Sequence, residues 1–81
     1  MDQNHLYKII RETVSLYIEE YDDDTNLLGI TPVRNIIYIL SDLEKGLSFV
    51  IDDFFINEVK QFSIDNLCKV IPKYLFQTAN N

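Results

Sequence analysis

The sequence predicts a small all-α bundle, and three observations lead there. Apolar residues recur at three- and four-residue steps in three separate stretches. Only two glycines and two prolines punctuate 81 residues, too few for a fold rich in hairpins. The one short apolar run that could pass for a strand, Leu47 to Ile51, has no second strand to pair with.

The first helix is expected over Asp2 to Tyr21. Leu6, Tyr7, Ile10, Val14, Tyr17, Ile18 and Tyr21 share one broad face, and Lys8, Arg11, Glu12, Ser15 and Glu19 fall opposite. Asp2 is a suitable cap, and His5 reads as a solvated side chain near the start. Asp22-Asp23-Asp24-Thr25-Asn26 then opens a loop. Three carboxylates in a row invite a calcium reading. A calcium loop of the helix–loop–helix type, however, needs alternating ligands, a central Gly and Glu at its twelfth position, where this chain has Val33. A solvated acidic turn is the better account. Leu27, Leu28 and Ile30 are too apolar for a free loop and are expected in the core.

The loop-to-helix junction Leu27 to Val33 organises the rest. Thr31 suits the N-cap and Pro32 the first helical position, with Gly29 easing the turn before them. The second helix then runs from Pro32 to about Lys45 or Leu47. Its expected core face is Val33, Ile36, Leu40, Leu43 and Leu47, and Gly46 is its expected C-terminal stop. Tyr38 projects among Arg34, Ser41, Asp42 and Lys45, with Ile37 on the flank. It reads equally as an ordinary exposed side chain and as part of a contact surface, since Tyr and Arg are favoured at interfaces.

Leu47 to Ile51 is expected to hug the core as a connection. Asp52 or Asp53 caps a short third helix, Phe54 to about Lys60, with Phe55 and Val59 inward. Ser63 caps the last helix, whose apolar residues are Ile64, Leu67, Val70, Ile71, Tyr74 and Leu75. Pro72 should end or kink it after Ile71, and Cys68 at the edge of the apolar face reads as a small core residue. Residues 1–76 are expected to form one domain and 77–81 a frayed tail.

Composition narrows the function classes. With 47% hydrophobic and 25% charged residues the chain is of folded type. Its net charge of −6 disfavours nucleic acid and anionic membranes and suits basic protein partners. A single cysteine excludes an internal disulfide and points to a reducing compartment. The polar start lacks a secretory signal's pattern and the longest apolar run, Ile36 to Leu40, is too short for a bilayer. A cytoplasmic location is therefore expected. Catalysis needs a nucleophile with a base, paired carboxylates in a cleft, or a metal cluster. One His, one Cys and an acidic loop supply none of these, so no enzyme, metal or cofactor is expected.

Leu28-Gly29-Ile30 before the second helix, Leu43-Glu44 near its end, Leu47 to Asp53 after it and Ser63-Ile64-Asp65-Asn66-Leu67 at the last helix together resemble the acyl carrier protein family. The likeness spans roughly Leu6 to Leu75 in short, degenerate pieces. It implies a four-helix bundle of three longer helices and one short one. In that family a serine in an Asp-Ser-Leu motif at the start of the second helix carries a phosphopantetheine arm. Counting from Leu28-Gly29-Ile30 the slot falls on Pro32, and counting back from Leu43-Glu44 it falls on Val33. Neither has a hydroxyl, and Thr31 is better explained as a cap, so the attachment slot at Thr31, Pro32 and Val33 is degenerate. The pattern is most similar to the serine-less acyl-carrier-related proteins of bacterial peptide-maturation systems. That resemblance implies a docking or scaffold protein that is not phosphopantetheinylated. It would meet carrier-binding or peptide-modifying enzymes through Arg34, Ile37, Tyr38 and Ser41. A carrier modified at another hydroxyl, such as Thr31 or Ser41, and an unrelated helical interaction module are the alternatives.

Overall fold

Asp2 starts the first helix, α1 (Gln3–Ser15), by accepting a hydrogen bond from His5 N on its Oδ1 at 2.8 Å. The computed structural model describes residues 2–79, with side chains through Leu75. It contains three further helices, α2 (Val33–Leu47), α3 (Asp53–Val59) and α4 (Ile64–Ala79), and a 3₁₀ turn at Leu27–Gly29. No strand occurs among the described residues. α1 packs on α4 and α2, α3 packs on α4, and the 3₁₀ turn packs on α2. The expected small helical bundle is present.

α1 ends six residues before the end of its apolar pattern at Tyr21. Thr13 Oγ1 donates to Ile9 O at 2.8 Å, and the N–H groups of Leu16 and Tyr17 bond three residues back, tightening the last turn until it stops. The pattern beyond the stop is still used. Leu6, Ile10, Val14 and Ile18 are all buried, while Tyr7, Tyr17 and Tyr21 pack at the core's edge.

The loop that follows is held by its backbone. Leu27 N donates to Phe62 O at 2.7 Å and Asp65 N to Asp23 O at 2.9 Å, fastening it to the entrance of α4. Of the three loop residues expected in the core, only Leu27 is buried. Leu28 and Ile30 are 42% and 48% exposed. The 3₁₀ turn explains this, because Leu28 N is spent on Asn26 Oδ1 and the tight turn aims one side chain inward and its neighbours out.

α2 corrects the sequence reading at both ends. Pro32 has extended ψ (148°), so it is the N-cap and helical geometry begins at Val33. Thr31 lies one residue further out, where its hydroxyl accepts from Asn35 Nδ2 at 2.7 Å instead of capping. At the other end Gly46 lies inside the helix, and Ser48 takes the left-handed capping conformation (φ 58°). The core face is turned as well. Ile36, Ile39, Leu43 and Leu47 are buried, Leu40 is half-buried, and Val33 is exposed. The face reads as i, i+3, i+7, i+11, which a helix satisfies as well as the spacing through Leu40.

The connection 48–52 buries Phe49 and half-buries Ile51, and Glu44 Oε2 secures it by accepting from Ile51 N at 2.7 Å. Asp52 caps α3 through Phe55 N, and Ser63 caps α4 through Asn66 N. Phe55 is fully buried between the rings of Phe49 and Tyr74. Pro72 does not end α4, which continues to Ala79. The proline leaves Cys68 O without its helical partner, and Gln3 Nε2 reaches it from α1 at 3.5 Å. Of the expected frayed tail 77–81, residues 77–79 continue α4, and 80–81 lie outside the described residues.

Candidate functional site

Thr31, Pro32 and Val33, expected to form a degenerate attachment slot, lie at the junction just described. Thr31 is half-buried with its hydroxyl engaged by Asn35, Pro32 is exposed, and Val33 is 61% exposed. Pro32 and Val33 face solvent, but neither carries a nucleophilic oxygen.

From this point the outward face of α2 continues as a stripe. Val33 and Ile37 are four apart, as are Arg34 and Tyr38, and Ser41 follows four after Ile37, so all lie side by side on one surface. Ile37 is 59% and Tyr38 46% exposed, Arg34 is exposed, and Ser41 is half-buried. The four residues expected to meet a partner are thus together on one face. With Val33 and the loop residues Leu28 and Ile30, they leave apolar surface in water, as Leu16, Val50, Phe54 and Ile56 do elsewhere in the chain.

One edge of the stripe is fixed by a residue the sequence assigned only to packing. Tyr17 lies against Tyr38 with ring centroids 5.9 Å apart and planes tilted by 35°, and its hydroxyl donates to Asp42 Oδ2 at 2.6 Å. That bond, then partial burial, raises the Tyr17 phenol above its ordinary pKa. Tyr38 is therefore half a surface residue and half a packing residue, which is why the wheel alone left it open. Tyr17 lies just beyond the end of α1, so no helical periodicity could have placed it there.

A second polar cluster joins α1 to the acidic turn. Tyr7 donates to Asp23 Oδ2 at 2.7 Å and Arg11 Nη1 to Asp23 Oδ1 at 2.6 Å, while the Arg11 guanidinium lies 5.0 Å from the centre of the Tyr21 ring. The hydrogen bond to Asp23 raises the Tyr7 phenol, and the one to Tyr7 raises the Arg11 guanidinium. The acidic turn is thus not merely solvated. Its middle carboxylate ties the loop to α1, with both of its oxygens occupied by internal donors.

The other reactive residue types are scattered. Cys68 is partly buried in α4, with its thiol pKa pushed up by burial and then by Asp65 and Asp23. His5 is exposed at the start of α1. Among the described residues no group of three or more His, Cys, Asp or Glu could hold a metal ion. No helix among them is long and apolar enough to cross a membrane.

No family model, curated protein or solved structure matches this chain. What it does rests on its own geometry.

Proposed function

We propose that the chain is a non-catalytic docking module of acyl-carrier-like type, which meets its partners through the outer face of α2 and carries no prosthetic arm. The observation that carries this is the stripe Val33, Arg34, Ile37, Tyr38 and Ser41, where large apolar side chains remain in water on a well-formed helix. Burying them against a partner returns about 25 cal/mol for each Å² of apolar surface removed from water. Tyr and Arg are also the residue types on which interface energy concentrates.

The order of elements supports the carrier-like part of the reading. It runs long helix, long connection with a 3₁₀ turn, long helix, apolar connection, short helix, long helix. Where a carrier would present its serine, the chain has Pro32 and Val33, and a phosphodiester needs a side-chain oxygen that neither has. Thr31 has one, but it is half-buried and bonded to Asn35. On the resemblance set out above, the partners are carrier-binding or peptide-modifying enzymes of a bacterial peptide-maturation system, working in the cytoplasm.

The arm is tested by intact mass. Protein purified from its native host is expected to have the mass of the bare chain, unchanged after incubation with coenzyme A and a phosphopantetheinyl transferase. A gain of one phosphopantetheine in either sample would make it a loaded carrier and overturn the reading.

A further inference from the structure

One stretch of the bundle is bounded on both sides by backbone strain. Ser48 (φ 58°) and Lys60 (φ 59°, ψ −55°) are the two non-glycine residues with positive φ among the described residues. Between them run the apolar connection and α3. A left-handed conformation crowds the Cβ of an L-residue, and Lys60 adds the rarer, strained form of γ-turn. Just outside these two residues the chain is fixed. α2 ends at Leu47, where Ser48 N donates to Glu44 O. Beyond Lys60, Leu27 N donates to Phe62 O at 2.7 Å, Asn66 Nδ2 to Gln61 O at 2.9 Å and Gln61 Nε2 to Asp24 O at 3.2 Å.

The stretch itself is held less firmly. α3 packs on α4, whereas α1 packs on both α2 and α4. Its polar ties to its neighbours include Ile51 N to Glu44 Oε2, Asn66 Nδ2 to Val59 O, and Glu58 to Lys73 and Tyr74. The side chains of the Glu58–Lys73 pair are 36% and 63% exposed, so that pair contributes little. Val50, Phe54 and Ile56 stay in water, and the side chains buried fully are Phe49, Phe55 and Val59. We propose that residues 49–59 form a hinged strap, which lifts from α2 and α4 as one unit about Ser48 and Lys60 while α1, α2 and α4 stay packed. Opening releases the strain at both hinges, which offsets part of the cost of exposing three buried side chains. The open form presents Phe49, Phe55 and Val59 together with Val50, Phe54 and Ile56, and bares the Tyr74 ring against which Phe55 lies. This goes beyond docking on α2 and makes no use of that helix's outer face.

The test is amide hydrogen exchange of the full chain in rising, sub-denaturing urea. The reporters are the amides of Ile51, Phe55 and Ile56, which bond to Glu44 Oε2, Asp52 Oδ1 and Asp52 O. A seven-residue helix does not persist without its packing, so all three lose protection when the strap lifts. They are expected to share one opening, at least about tenfold less protected than the slowest amides of α1 and α4, with a common urea slope below that of global unfolding. The variant Ile18→Val weakens the core beside the Tyr17–Asp42 bond, away from the strap. It is expected to lower protection of the slowest amides about two- to tenfold and to leave the three strap amides unchanged.

If the strap amides follow the global slope and fall with Ile18→Val, the bundle opens only as a whole and the strap is overturned. If each of the three exchanges at its own rate without urea dependence, single residues fray and no unit lifts, which overturns it equally.

Discussion

Two side chains hold backbone conformations that belong to glycine. Ser48 has φ 58° at the end of α2, and Lys60 has φ 59° and ψ −55° just after α3. At Lys60 the chain makes a γ-turn, with Gln61 N donating to Val59 O at 2.5 Å. Asn66 Nδ2 fixes it by bonding Gln61 O at 2.9 Å. A left-handed L-residue costs about 1–2 kcal/mol, and glycine removes most of that while adding some chain entropy to the unfolded state. Ser48→Gly and Lys60→Gly are each expected to raise stability by about 0.5–1 kcal/mol, read as a higher urea midpoint with unchanged slope. A lower midpoint would contradict this account of the turns. The sequence reading put the stop of α2 at Gly46 because glycine is the commonest residue there. Gly46 instead lies within the helix, with open space where a Cβ would stand, and serine takes the strain two residues later. Residue type carried the right signal at Asp2, Asp52 and Ser63, where a side-chain oxygen caps the helix as expected. It misled at Thr31, where Asn35 engages the hydroxyl.

At the scale of elements, tyrosines act as latches. Tyr7 ties α1 to the acidic turn through Asp23, Tyr17 ties the following connection to α2 through Asp42, and Tyr74 joins α4 to α3 through Glu58. Each phenol has a raised pKa, Tyr7 and Tyr17 chiefly from the hydrogen bond to a carboxylate and Tyr74 chiefly from burial. A raised folded-state pKa means that the folded chain holds the phenolic proton more tightly than the unfolded chain does. The associated stability is full below the ordinary tyrosine value of about 10 and is lost as pH rises through the higher folded-state values. The melting temperature should therefore decline above about pH 10, and less steeply in Tyr17→Phe than in the wild type. Identical alkaline profiles for the two proteins would contradict the Tyr17 latch.

These latches also show where the sequence stops being legible. The existence and order of four helices follow from apolar spacing, as do the inward Phe55 and Val59 and the apolar rows of α1 and α4. The end of α1 and the rotation of α2 do not. They are set by Thr13 bonding back to Ile9, by Tyr17 reaching Asp42, and by which of Ile39 and Leu40 meets the neighbouring helices, contacts made between elements rather than along one. Val33 was expected in the core for the same reason. Its exposure extends the candidate surface beyond Arg34, Ile37, Tyr38 and Ser41.

For the whole molecule, exposed apolar side chains occur in several places, Leu16, Val50, Phe54 and Ile56 as well as Val33, Ile37 and Tyr38 on α2. Carboxylates exceed cations by six across the chain, while α2 balances Arg34 and Lys45 with Asp42 and Glu44 and exposes Val33, Ile37 and Tyr38. The outer face of α2 thus remains open to solvent, with Pro32 and Val33 at its start. The most direct test of that face is a photo-crosslinking amino acid placed at position 37 in the native host, compared with the same group at the exposed position 69 on α4. The account predicts a discrete covalent adduct with one partner from position 37 and none from position 69. An adduct from 69 with none from 37, or equal yields from both, would contradict docking through α2.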